Sequence, residues 1–331
     1  RTVAREASGA ARSTTAVRAH PEGVRYLLGR VRDNRLLAQA AQQLHPELII
    51  SSDVTSSLAG LIVRRAMGCK FIYDVRDIRL ANDGQMSFAA RRIARVLERR
   101  VLGQADVSMA VTPRMAEWLA DMYGMKQHPL AIYNGSFTRV IDSRPAAEPL
   151  RLYFQGAFGR NRRLDQLVEA MPDLRGIATL TLQGWGDMEK SLRATVHDLG
   201  IEDIVTIAEA CKPEDVVAAA SAYDVGIVNY PGSTTNLRMT VPIKMFDYLS
   251  AGLAVLASDL PPLRDIVDKH QCGALFNATG PEAIVEAVRL LATDNASVTV
   301  MKERAVRASG AYGWDVQGQR FLSVVEEVLG A

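Results

Sequence analysis

The stretch Thr240–Ser258, TVPIKMFDYLSAGLAVLAS, decides how the rest of the chain is read. Pro242 suits the first turn of a helix, where its missing N–H would have had no partner anyway. Met245, Phe246 and Leu249 recur at helical spacing and form a stripe that can face a core. Lys244 and Asp247, three residues apart, share the opposite, polar face. Gly252 stops the helix, and Leu253–Ala257 reads as a short buried strand. The stretch is thus a helix carrying one cation and one carboxylate, feeding a strand of parallel type.

Outward from this stretch, strand and helix alternate throughout. In the first half, strands are expected at Leu48–Ser51, Lys70–Tyr73, Val107–Val111 and Leu130–Tyr133, with helices near 57–67, 87–102 and 113–122. In the second, strands are expected near Arg151–Gln155, Ala178–Gln183, Val205–Ile207, Val225–Asn229, Leu253–Ala257 and Ala274–Phe276. Such βα repetition implies parallel sheets covered on both faces, with ligands beyond the carboxyl ends of the strands. Ser136–Leu150, SFTRVIDSRPAAEPL, has two prolines and no periodicity and reads as a linker. With 331 residues, the simplest α/β architecture is two doubly wound domains and a cleft.

Composition narrows the class. The chain is 48% hydrophobic and 23% charged, as expected of a globular protein with a large core. Cys69, Cys211 and Cys272 are far apart and lack metal-ligand spacing, which argues for a reducing compartment and against a disulfide framework. His270 precedes Cys272 by two, with no second ligand pair, so no metal site is expected. No apolar run approaches the roughly 18–20 residues needed to cross a bilayer. Residues 1–150 hold 22 Lys and Arg against 14 Asp and Glu, whereas the remainder holds 17 against 23. A basic first half and an acidic second half suggest different partners, or uneven surface decoration. No nucleic-acid partner is expected.

Within the first half, Ser87–Gln104 reads as a basic amphipathic helix. Ile93, Val96, Leu97 and Val101 make its apolar stripe, and Arg91, Arg92, Arg95, Arg99 and Arg100 crowd the rest. Such a helix can dock on an anionic bilayer surface, or simply be the solvated face of a domain helix. Asn134-Gly135 reads as a turn. In Leu152–Leu164, LYFQGAFGRNRRL, a strand ends at Gln155, and Gly156 and Gly159 let backbone approach a ligand. Arg160, Arg162 and Arg163 then precede a helix N-terminus, a setting suited to a diphosphate.

Pro242, Lys244, Phe246, Asp247, Tyr248, Gly252 and Val255 resemble, in that order, the P-x-K-x-F-E-Y-x-x-x-G-x-P-V segment of glycosyltransferase family 4 and related nucleotide-sugar enzymes of the GT-B fold. Asp247 stands where that family usually has Glu, and Ala254 where it usually has Pro. Gln155-Gly156 with Arg162 resembles the family's phosphate loop, although Ala157 replaces an Arg that many relatives carry. Gly184 and Gly186 resemble its G-x-G turn. Met239 stands where many relatives have a Glu reaching the donor sugar, while Asn236 and Thr240 fit one subgroup. Asp74, Arg76, Asp77 and Ile78 match a D-x-R-D variant of a loop that elsewhere carries a histidine. Tyr312–Asp315 and the helix after it resemble the family's closing signature.

The resemblance implies a GT-B fold with an acceptor-side domain at 1–145, a nucleotide-sugar domain at 146–312, and a last helix, 313–331, packing back on the first domain. It implies sugar transfer from a nucleoside-diphosphate sugar to an acceptor in cell-surface glycan or polysaccharide synthesis, retaining and metal-independent, with no cofactor beyond the donor. Arg162 and Lys244 would stabilise the leaving diphosphate. Asp247 would accept hydrogen bonds from ribose hydroxyls. Gly156, Arg160, Gly184, Asn236 and Thr240 would complete the donor site. Arg76 and Asp77 would hold acceptor hydroxyls or phosphate, or else form a structural pair closing their loop. The acceptor would be lipid-linked or a glycan, met by a cytoplasmic protein at the inner membrane face. A second reading, a non-catalytic nucleotide-sugar-binding or assembly protein, draws on the absent histidine, on Met239 and on the start of the chain. Relatives open with a strand, a glycine-rich loop and a helix. Here Arg1–Glu6 reads as the tail of a second strand and Glu22–Gln43 as the approach to the next helix. A βα unit of roughly 30 residues is missing from that scheme.

Overall fold

The computed structural model describes residues 24–78, 87–136, 141 and 143–330, the side chains of 24–30 and of Thr55 excepted. The strand tail expected at Arg1–Glu6 lies outside the described residues.

The expected two-sheet α/β fold is present. In the first half, helix α1 (Val24–Gln42) leads into β1 (Leu48–Ser52), α2 (Asp53–Met67), β2 (Lys70–Val75), α3 (Phe88–Leu102), β3 (Val107–Ala110), α4 (Pro113–Tyr123) and β4 (Leu130–Ala131). The four strands pair in parallel in chain order. β2 reads KFIYDV and is buried from its second residue onward, as a strand covered on both faces must be.

The second half runs β5 (Leu150–Ala157), α5 (Leu164–Glu169), β6 (Ala178–Trp185), α6 (Glu189–Asp198), β7 (Val205–Glu209), α7 (Val216–Ala220), β8 (Val225–Val228), α8 (Thr235–Met239), α9 (Ile243–Ser250), β9 (Ala254–Ser258), α10 (Pro261–His270), β10 (Gly273–Phe276), α11 (Pro281–Ala292) and α12 (Asn295–Tyr312). Its six parallel strands lie in the order β10-β9-β8-β5-β6-β7. The chain therefore winds outward from β5 in one direction, returns, and winds outward from β8 in the other. The crevice between β5 and β8 is the topological switch point, where ligands bind in sheets of this kind. The closing helix α13 (Trp314–Leu329) crosses back, and its Val324 and Val328 pack on Ile72 and Met109 of the first sheet.

Three expectations change. First, the polar side of α9 is not solvated: Lys244 and Asp247 are buried, and Ile243 at its start is the exposed residue. The helix is wedged between the sheet and α12, so its polar side is turned into the protein beside β5. Second, α3 is rotated relative to the expected stripe. Its buried positions include Ala90, Ala94, Glu98 and Val101, while Ile93 and Val96 are 50% and 57% exposed. Glu98 sets the rotation, because its carboxylate accepts hydrogen bonds from Tyr73 Oη at 2.9 Å and Tyr123 Oη at 2.6 Å. Third, Gly135 serves close approach and not a turn. A Cβ there would lie 1.8 Å from the carbonyl oxygen of Tyr312.

Candidate active site

The site is built where β5 and β8 end. β5 finishes in Gln155-Gly156-Ala157, and Asn229 and Tyr230 follow β8. Gly156 has φ +120°, and a Cβ there would sit 3.2 Å from Lys244 Nζ, so the lysine rises directly beneath this backbone. The Lys244 ammonium lies 3.5 Å from the centroid of the Phe154 ring, a cation–π contact in a desolvated place. Burial, reinforced by Arg162, lowers its pKa well below the usual lysine range, and Asp247 only partly opposes this. A lysine held this way gains from the arrival of an anion.

Asp247 lies on the same helix. It accepts a hydrogen bond from Gln155 Nε2 at 2.7 Å and another from the Ser136 side chain. Burial still pushes its carboxyl above the usual range, against those bonds and Lys244. Across the crevice, the Arg162 guanidinium lies 4.4 Å from the centroid of the Tyr230 ring. Arg162 Nη1 and Asn229 Oδ1 are both buried without a hydrogen-bond partner. Asn229 is oriented by its amide, which donates to the Arg163 carbonyl at 3.2 Å. An unmatched donor and an unmatched acceptor at a switch point call for a polar guest, since buried polar groups are otherwise paired.

In front of this cluster opens a cleft of about 510 Å³. The first half contributes Arg76, Asp77 and Asn134 to its wall; the second contributes Asn161, Arg162, Tyr230, Asn236 and Thr240. Asn236 spans the gap: its Nδ2 donates to Asp77 Oδ1 at 2.8 Å, and its Oδ1 accepts from the Ile78 N–H at 2.7 Å. Thr240 hydroxyl donates to the Asn236 carbonyl at 2.9 Å, closing the short helix α8. Arg76 pairs with Asp74, two residues before it, at 2.8 Å, so the Arg–Asp pair of this loop is made with the acid at the end of β2.

The expected site residues thus fall into three groups. Arg76, Asp77, Arg162, Asn236 and Thr240 line the cleft. Gly156, Lys244 and Asp247 lie behind it as one buried cluster, coupled electrostatically to Arg162. Gly184 and Arg160 join neither. Gly184 is explained by sheet packing, because a Cβ would fall 1.9 Å from the Gly156 carbonyl oxygen. Arg160 is exposed in a single 3-10 turn, Arg160–Arg162, and the helix that follows, α5, is only six residues long. Met239 packs on the first half's core, and its carbonyl accepts from Thr112 Oγ1 at 2.5 Å. Sequence reasoning missed Asn161, Asn229 and Tyr230. The position of Asn229-Tyr230 directly after a strand was the available signal. Among the described residues, no cluster of three His, Cys, Asp or Glu is placed to hold a metal ion, and no helix is long and apolar enough to cross a membrane.

Known proteins resemble this chain over both halves. Residues 1–135 match the glycosyl transferase 4-like domain, and residues 149–294 match glycosyl transferases group 1. The chain is 22% identical over 257 residues to chitobiosyldiphosphodolichol beta-mannosyltransferase of Candida albicans, covering 70% of this chain and 55% of that protein. It therefore spans little more than half the length of that relative. Among solved structures, HepE of Anabaena in complex with UDP superimposes with a TM-score of 0.75 at 16% identity, covering 88% of this chain and 82% of that one. Sucrose-phosphate synthase of Thermosynechococcus elongatus gives 0.72 at 19% identity, covering 88% and 77%. These neighbours share the GT-B fold. With both halves matched by the family's two domain models, and with a polar switch-point site facing the cleft, the chain belongs to the group 1, glycosyltransferase 4-like family of glycosyltransferases.

Proposed function

We propose that the protein transfers a sugar from a nucleoside-diphosphate sugar to an acceptor used in cell-surface glycan or polysaccharide synthesis. The observation that carries this reading is the convergence of Arg162, Lys244 and the unpaired Asn229 oxygen on the switch point between β5 and β8. In the transfer, the bond from the anomeric carbon to the diphosphate breaks and its electron pair leaves with the phosphate oxygen. The acceptor oxygen forms the new bond and passes its proton to the departing phosphate oxygen, which has gained the electron pair. Arg162, with Lys244 drawn to its charged form by an arriving anion, supplies positive potential where the leaving group gathers charge, and on that ground transfer is metal-independent. Asp247, acceptor-only when ionised, suits the ribose hydroxyls. Retention of anomeric configuration follows the family resemblance.

Residues 146–312 take the donor, residues 1–145 orient the acceptor, and 313–331 join them. HepE has been solved with UDP and with UDP-glucose, so uridine donors come first in a test panel. The test is calorimetry with UDP, GDP and ADP, then transfer from the matching radiolabelled sugars with and without EDTA. Arg162→Ala, Lys244→Ala and Asp247→Ala should each weaken nucleoside-diphosphate binding. Binding untouched by all three, or full loss of transfer in EDTA restored by manganese, contradicts the assignment. Binding with no turnover of any donor favours the non-catalytic reading.

The acceptor, on this reading, is lipid-linked or a glycan at the anionic, cytoplasmic membrane face. Helix α3 supports it. Phe88 is 82% exposed and, with Val96, borders a surface groove walled by Arg91, Arg92, Arg95 and Arg99. Apolar residues amid arginines suit a lipid interface, where each basic residue contributes about 1 kcal/mol. Co-sedimentation with phosphatidylglycerol vesicles should exceed that with phosphatidylcholine, and should fall when the four arginines become Gln. Equal binding to both vesicle types argues against a membrane role.

A further inference from the structure

The loop that brings Arg76 and Asp77 to the cleft is held from outside itself. β1 ends at Ser52, paired in register with Asp74 of β2, so the next residue of β1's chain stands level with the start of that loop. That residue is Asp53, with φ +59°. The left-handed region is open to Gly, Asn and Asp and costs most other residues strain. From there one carboxylate oxygen, Oδ1, accepts hydrogen bonds from two consecutive backbone N–H groups, Arg76 at 2.9 Å and Asp77 at 3.0 Å. The next N–H, that of Ile78, donates across the cleft to Asn236 Oδ1 at 2.7 Å, and Asn236 returns a bond to the Asp77 carboxylate. Three successive amides are thus fixed by two side chains, one from each half.

We propose that Asp53 is a positioning residue for the transfer reaction: its carboxylate holds the 76–78 loop so that Asp77 faces the cleft and meets Asn236. The consequence for turnover rests on the function proposed above; the holding of the loop does not. A simpler role for an acid at the start of α2 is to complement the helix dipole. Two substitutions separate the roles. Asp53→Gly keeps the backbone conformation and removes the acceptor. Asp53→Asn keeps an acceptor oxygen and the conformation but removes the charge.

The experiment uses the full chain and reads hydrogen–deuterium exchange at single-residue resolution, followed by transfer. In Asp53→Gly the Arg76 and Asp77 amides should exchange about tenfold faster, as expected when the bonds opposing a local opening are lost. In Asp53→Asn they should stay close to the parent. Nucleoside-diphosphate affinity should be unchanged in both. Transfer should fall about tenfold in Asp53→Gly, through lost orientation, and largely recover in Asp53→Asn. Unchanged amide exchange in Asp53→Gly overturns the proposal, and so does equal impairment by Gly and Asn. Faster exchange with undiminished transfer also overturns it. If the parent chain turns over no donor, the proposed function fails, while amide exchange alone decides whether Asp53 holds the loop.

Discussion

Asp224 in the second half and Glu98 in the first are both buried carboxylates, held by different chemistry. Asp224 is fully buried at the start of β8 and receives Lys302 Nζ at 2.7 Å, Arg151 Nε at 2.8 Å and the Arg151 backbone N–H at 3.1 Å. Burial alone would raise its pKa, but the bonds from Arg151 and Lys302 hold it below the usual carboxylate range. Among the described residues Glu98 is bonded by the hydroxyls of Tyr73 and Tyr123, and burial pushes its carboxyl up. The charged clamp ties β5, β8 and α12 together at the amino ends of the two strands, the edge of the sheet away from the cleft. The neutral one fixes the rotation of a single helix whose arginines face outward. The sheet of the second half is thus pinned by buried charge at the edge away from its cleft, and the first half is arranged to present a surface.

The largest test of this contrast is on stability. Lys302→Met leaves Asp224 buried with one cation fewer, and breaking a buried pair in this way costs about 3 kcal/mol or more. Glu98→Gln removes no ion pair and keeps an oxygen for the tyrosines, so it should change stability by less than about 1 kcal/mol. Denaturant unfolding of both variants checks this. Equal losses would show that the two carboxylates do the same job.

A second test is on ligand binding. Arg162→Ala should weaken nucleoside-diphosphate binding by about 2 kcal/mol, the scale of a charge-assisted hydrogen bond, near thirtyfold. Arg76→Ala, in the opposite wall, should leave that affinity unaltered and reduce transfer. Calorimetry on the pair decides. A comparable loss of nucleotide affinity in Arg76→Ala would mean that the donor is shared between the halves.

These contrasts were unevenly legible in the sequence. The βα alternation and the strands of both halves were readable, because runs such as LIIS and AVLAS are short, apolar and bounded by breakers. The segment around Lys244 and Asp247 was readable because so many of its positions resemble one motif. Burial of the Lys244 and Asp247 side of α9 was not, since a three-residue spacing of Lys and Asp looks the same on a solvated face. The rotation of α3 was hidden for the converse reason: Glu98 belongs to no apolar stripe, yet two tyrosines distant in sequence hold it in the core. Gly184 and Gly135 show the limit of motif reading. Both are required by neighbouring backbone, a demand the motif does not reveal. Asp53 gave no periodic signal, because its partners are backbone amides 23 and 24 residues away.

The third test uses pH. Burial raises the Asp247 pKa above its ordinary value of 3.8, so the native state binds this proton more tightly than the unfolded chain does. The resulting stability is fully present below the unfolded value and is lost as pH rises through the folded one. Asn cannot titrate. Asp247→Asn should therefore melt higher than the parent at pH 7, with the difference shrinking toward pH 4, while nucleotide binding is weaker throughout. Melting scans across pH check the sign. A variant less stable at neutral pH would mean that the Gln155 and Ser136 bonds outweigh burial, and that the site is not strained in favour of a ligand.

The smallest expected effect concerns the outer seam between the halves. Arg114, on α4, makes a two-pronged pair with Asp265 on α10, Nε at 2.7 Å and Nη2 at 2.9 Å. Both side chains are more than two-fifths exposed, so water and salt screen the attraction. Pairs of this kind contribute about 0.2–1 kcal/mol. The two-pronged fork geometry places this pair toward the top of that range. A double-mutant cycle with Arg114→Ala and Asp265→Ala should give a coupling of about 0.5 kcal/mol that fades in high salt. A coupling several times larger would make this seam a main fastening of the cleft. In that case Asn236, Asp77 and Thr112 would be secondary, and cleft closure would be governed from the rim, away from the residues that face the ligand.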